Sequence, residues 1–138
     1  MKIFHATLAA FLLASLSASH AKPVCAPYDV EGITLSGKVV LRTFFGPPNF
    51  GESPETDARE TQALLQLDQP LCTLAAEERE EQAERNQRLV TLVPLGGLSL
   101  KQYAGKHVAV QGSLFHADNG HHHTPVLIAI RQAPVVDR

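Results

Sequence analysis

Hydrophobic residues recur along this chain in short, strand-length runs separated by turn formers, and only once, near the N-terminus, as a continuous stretch. Ile33 to Phe45 is dense in β-formers (Val39, Val40, Leu41, Phe44, Phe45) and predicts a first, long strand. Gly37 is the position where a bend or bulge costs least. Gly46 to Asp57, rich in Gly, Pro and acids and without a period, predicts a mobile loop. Thr61 to Leu67 is the second strand, ended by Asp68-Gln69-Pro70 ahead of Cys72. Leu74 to Arg88 differs in kind: its Ala, Glu, Arg and Gln residues are strong helix formers with almost no apolar face. Favourable i,i+4 pairs (Glu81 with Arg85, Glu84 with Arg88) and Thr73 as N-cap predict a polar helical excursion. Leu89 to Val93 is a short third strand. Leu98 to Tyr103 makes roughly one helical turn, and Lys106 to Phe115 and Val126 to Val135 are strands four and five. Five strands with a short helix before the fourth are the order of a small OB-like Greek-key β-barrel, expected as one domain over residues 22–138.

The continuous apolar stretch is Ala6 to Leu16, interrupted only by Thr7 and Ser15; Lys2 precedes it and Ser19-His20-Ala21 follows. That arrangement predicts a secretory leader over residues 1–21. The stretch is too short for a membrane span of about 20 residues, and nothing later approaches that length. Pro23 and Val24 precede Cys25, which argues against acylation, since that needs a small residue directly ahead of the cysteine.

Between strands four and five lies His116-Ala117-Asp118-Asn119-Gly120-His121-His122-His123-Thr124-Pro125, with a hairpin dipeptide at its centre. A two-residue turn at Asn119-Gly120 pairs Asp118 with His121 and His116 with His123. His116, Asp118, His121 and His123 then share the outward face, opposite Phe115, His122 and Val126. Continued unbroken, that ladder splits the core residues of strands four and five between two faces. One extra residue at Gly112 repairs the parity, so a Gly112 bulge is expected, with Val108, Val110, Phe115, Val126, Ile128 and Ile130 inward.

Three imidazoles and a carboxylate on one face suit Zn²⁺, Cu²⁺ or Ni²⁺. His116, His121 and His123, with Asp118, are therefore candidate metal ligands; the alternatives are backbone capping, a partner contact or a patch that changes charge near pH 6.5. No spacing of the His-Glu-x-x-His kind accompanies them, so no cofactor is expected beyond Zn or Cu at this tip. A formal charge of −2 without a basic stripe excludes nucleic acid as the natural partner. The two cysteines, Cys25 and Cys72, read as one disulfide in an exported chain, with two buried thiols as the alternative. Nucleophile elbow, P-loop and dinucleotide fingerprints are missing. Glu52, Glu55 and Asp57 lie on a loop without fixed geometry, and His107 reads as a surface residue.

The segment Tyr103-Ala104-Gly105-Lys106-His107-Val108-Ala109-Val110-Gln111-Gly112-Ser113-Leu114-Phe115-His116-Ala117, with Gly120-His121-His122-His123-Thr124-Pro125-Val126-Leu127, resembles a bacterial family described only as domain of unknown function 4431. Tyr28 to Gly37 and Gln66 to Cys72 look like what precedes that domain. The resemblance implies an exported bacterial protein and supplies no catalytic residues. The expectation is a periplasmic or secreted, non-enzymatic binding module for an unidentified protein or small ligand of the envelope. Its rivals are a metal-binding accessory protein and a small inhibitor or immunity-type protein that inserts the Gly46 to Asp57 loop or the histidine hairpin into a partner.

Overall fold

The computed structural model describes residues 25–79 and 81–137; the expected leader lies outside them. Six strands form one mixed sheet: β1 (Ile33–Phe45), β2 (Arg59–Leu71), β3 (Gln87–Pro94), β4 (His107–His116), β5 (Val126–Ile130) and β6 (Val135–Val136). The order is β1-β2-β3-β5-β4-β6, and an added β1–β4 pairing closes the first five into a ring. β3 and β5 run parallel; every other pair is antiparallel.

Closure needs strands that change partners along their length, and a glycine marks each change. β1 pairs with β4 over Ile33 to Lys38 and with β2 over Gly37 to Phe45, so Gly37 faces Leu67 and Val108 at once. β4 does the same at Gly112, opposite both Ile33 and Ile130. A Cβ would stand 2.1 Å from the Gln66 carbonyl oxygen at Gly37 and 2.0 Å from that of Ala129 at Gly112. Only glycine lets the backbones approach so closely.

The ring encloses the core, with Val39, Leu65, Val90, Val108, Leu114, Val126, Ile128 and Ile130 fully buried. The expected Gly112 bulge does not form. β4 alternates without a break from Val108 to Leu114, and His116 pairs with Val126, not with His123. That three-residue shift of register is odd, so it reverses the parity of β5 and places Val108, Val110, Ile128 and Ile130 on one face unaided. Leu114 takes the core position expected for Phe115, which is half-buried on the outer face. The irregularity lies instead in the expected strand five, which leaves the ladder at residues 131–134 and resumes as β6 with Val135 opposite Ala109. A second one interrupts β2 between Gln66 and Leu71, where Pro70, with no N–H to donate, is accommodated.

Neither expected helix is formed. Before β4 there is only a 3-10 turn, Lys101–Tyr103, and within the polar excursion another, Glu77–Arg79. Tertiary bonds override the helical propensity. Ala76 and Glu81 exchange backbone hydrogen bonds, and the Thr73 N–H donates to the Glu84 carbonyl oxygen. The Thr73 hydroxyl, expected as a helix cap, accepts from the Glu84 N–H and donates to the Tyr28 hydroxyl, which donates to the Gln82 carbonyl. The segment is thereby tied to the ring. Cys25 and Cys72 stand at disulfide distance beside it, Sγ to Sγ 2.15 Å and Cα to Cα 4.6 Å.

Candidate functional site

Leu64, Thr91 and Leu127 are buried yet lie outside the core. Register places them with Phe115 in one row across β2, β3, β5 and β4, on the outer face. The connection from Ala117 to Pro125 covers this row. The Thr124 hydroxyl accepts from the Thr91 N–H at 3.0 Å, lies 2.8 Å from the Thr91 hydroxyl and donates to the Val126 carbonyl. These bonds account for the loss of the expected two-residue turn. The ladder ends at His116 and Val126, and the tip closes with the His122 N–H on the Asn119 carbonyl. Neither Asn119 nor Gly120 takes the positive φ that a type I′ turn demands. Gly120 serves another purpose: a Cβ there would meet the Phe50 ring at 2.9 Å.

Phe50 belongs to the Gly46 to Asp57 loop, which is not loosely held. The Asp57 carboxylate accepts the N–H groups of Asn49, Gly51 and Ser53 at 2.9, 2.7 and 3.2 Å. Burial pushes this carboxyl up, but the N–H donors outweigh it and hold it below the ordinary range. The loop so fixed presents Phe50 edge-on to His121, with ring centroids 5.1 Å apart.

His116, at the end of β4, and the three histidines of the connection do not converge. His116 turns to the polar excursion, its Nε2 2.9 Å from the Glu84 carboxylate and its Nδ1 3.0 Å from the Ala117 carbonyl oxygen, with its ring edge-on to Tyr28. His122 lies over Phe115, and its Nδ1 accepts the Asp118 N–H. His121 and His123 share one carboxylate: Nδ1 of His121 donates to Glu60 at 2.7 Å and Nε2 of His123 at 2.5 Å. The His123 ring also stacks on Phe44 at 4.0 Å. Among the described residues, no three His, Cys, Asp or Glu side chains are grouped to hold a metal, so the expected set of His116, His121, His123 and Asp118 is taken apart. That expected set rested on the two-residue turn, which does not form. Burial raises the Glu60 carboxyl, while the hydrogen bonds from His123 and His121 and their charge prevail and lower it. At the other end of β4, His107 is bracketed by Asp68 and Asp137, whose hydrogen bonds raise it above the ordinary imidazole value.

Beside the covered row the sheet opens. The β2–β3 ladder stops at Leu64 and Thr91, although β2 extends back to Arg59 and β3 on to Pro94. The slot between Thr61 to Ala63 and Leu92 to Pro94 is a pocket of about 390 Å³, in the range of small-ligand sites. Leu41 and Leu100 add apolar surface, Ser99 and Lys101 stand at its margin, and His121 and His122 rim it. The Gln62 amide donates to the His121 carbonyl at 2.7 Å, while its Oε1 is buried with no partner among the described residues. Glu60, Glu84, Gln62 and the slot were missed in the sequence. Glu60 reaches His121 and His123 across 61 and 63 positions, so no local pattern announces it.

No curated protein and no solved structure matches the chain. Residues 78–133, which hold β3, β4, β5 and the histidine connection but neither β1 nor β2, match the family described as Domain of unknown function (DUF4431).

Proposed function

We propose that the protein is an exported, non-enzymatic binding module on an OB-like barrel that takes its ligand in the slot between β2 and β3. The observation that carries this reading is the interrupted ladder. Two strands held from behind by β1 and β5 face each other across a pocket instead of pairing. The ring order, with β3 parallel to β5, supports the OB-like assignment. The leader pattern and the cysteine pair at disulfide distance support export to an oxidising compartment. A binding role is favoured over chemistry because His121 is held by the Glu60 carboxylate and His122 accepts the Asp118 N–H, and among the described residues neither bonds to a hydroxyl nucleophile.

An NMR-detected screen of small-molecule fragments tests the reading. Hits should shift the amides of residues 61–63 and 92–93, and should vanish in Leu41→Trp, which fills the slot from an exposed position. Hits that cluster elsewhere, or that survive Leu41→Trp in a folded protein, would overturn it.

A further inference from the structure

We infer that the slot receives the C-terminal end of an extended peptide, which adds as a strand between β2 and β3 and sets its terminal carboxylate near Lys101; this rests on the binding reading above. In a sheet, alternate residues turn their N–H and C=O groups to alternate neighbours. The Thr91 N–H bonds to Thr124 and the Leu95 N–H to Ile130, both on the β5 side. Leu92, between them, therefore turns its backbone groups toward β2. The register that pairs Thr91 with Leu64 would give it Ala63 as partner, and that pair is not made.

Both banks keep strand geometry because each is paired from behind: Thr61, Gln62 and Ala63 with Thr43, Arg42 and Leu41, and Leu92, Val93 and Pro94 with Ile128, Ala129 and Ile130. The slot is thus a preorganised pair of strand edges, the geometry that β-strand addition exploits. Leu41, Ala63, Leu92 and Leu100 suit apolar side chains.

Charge selects which end of a peptide enters. The chain carries a net charge of −2, yet no Asp or Glu lines the slot, and its ionisable lining groups are Lys101, His121 and His122. Lys101 has no ion-pair partner among the described residues. A terminal carboxylate complements this lining; an N-terminal ammonium does not.

The test pans a random heptapeptide library, displayed with free C termini, on the full chain, with Leu41→Trp for counter-selection. Enriched peptides are then measured by fluorescence anisotropy. C-terminal amidation should weaken binding about tenfold, and Lys101→Gln should abolish that acid–amide difference. N-methylation of either phase of alternate residues should weaken it at least as much, because one phase of N–H groups faces β2 and the other β3. No enrichment, or an N-methylated series of either phase that binds as well as the parent peptide, overturns the inference, as does equal binding of acid and amide. If peptides fail while fragments still occupy the slot, the binding module stands and the strand partner falls. If neither binds, both readings fall.

Discussion

The Glu60 carboxylate is predicted to hold His123 far more strongly than His121, and a double-mutant cycle measures the difference. Glu60 and His123 expose only 22% and 15% of their side chains, whereas His121 exposes 55%. A charge-assisted hydrogen bond shielded from solvent contributes about 1.5–3 kcal/mol, and an exposed pair about 0.2–1 kcal/mol. Taking the low end of each, the coupling of Glu60 with His123 should be about 1.5 kcal/mol and with His121 about 0.2 kcal/mol. Glu60→Gln, His123→Phe and His121→Ala serve as single variants, the phenylalanine preserving a ring against Phe44. Urea unfolding at neutral pH gives the coupling energies. The lowered Glu60 carboxyl fixes the sign of the pH effect. Its contribution is present above the ordinary carboxylate range and is lost as pH falls through the lowered value, so the His123 coupling should fade in acid. Equal couplings for the two histidines, or a His123 coupling below about 0.5 kcal/mol at neutral pH, would refute the expectation that Glu60 holds the connection chiefly through His123.

Three further outcomes are expected. Gly112→Ala should cost about 3 kcal/mol or more, because its Cβ meets a backbone oxygen that cannot swing aside, while Ser113→Ala next to it should stay within about 0.5 kcal/mol; thermal unfolding compares them. His107, raised by Asp68 and Asp137, stabilises fully below about pH 6.5, and that contribution is lost as pH rises through its raised value. His107→Gln should therefore lose stability on the acid side and match the parent at alkaline pH, which urea titrations at several pH values would reveal. Mass spectrometry after alkylation without reductant should find no free thiol at Cys25 or Cys72, and Cys72→Ser should cost about 4 kcal/mol for a closure spanning 47 positions.

Local signals account for what was legible in the sequence. β1 has the bounds Ile33 to Phe45 that its β-formers and flanking turn residues indicate. Gly37 and Gly112 stand out in their strands, and at both a Cβ would collide with a facing carbonyl oxygen, so Gly112, like Gly37, serves close approach and not a bulge. The polar helix was misread because pairs such as Glu81 with Arg85 contribute only a few tenths of a kcal/mol each. Thr73, Tyr28 and Glu84 offer the same backbone a tertiary network instead. A run without an apolar face carries no sign of what will tether it. The site was still less legible, since Glu60 looks like any solvated glutamate beside a loop until β2 brings it under the histidines.

One feature of register ties the fold to the site. Had Asn119-Gly120 made a two-residue turn, His123 would sit in the ladder opposite His116, and Thr124 would be consumed as a strand partner of Phe115. The shift of three residues that pairs His116 with Val126 frees residues 117–125 from the ladder. The same shift brings the apolar residues of β4 and β5 to a common face. The freed segment can then do what a tight hairpin cannot. It lays Thr124 over Thr91, reaches back to Glu60 with His121 and His123, and offers the His121 carbonyl to Gln62 at the rim of the slot. Core parity thus selects the long connection over the local turn preference, because burying Val108, Val110, Ile128 and Ile130 together outweighs a turn's propensity by several kcal/mol. A variant that forces a type I′ turn, such as D-Pro-Gly at positions 119 and 120, should therefore leave the β4–β5 register unchanged. Its expected effect is to disturb the Phe50 and His121 contacts alone, and transfer of the His116 pairing from Val126 to His123 would show that the turn, and not the core, sets the ladder.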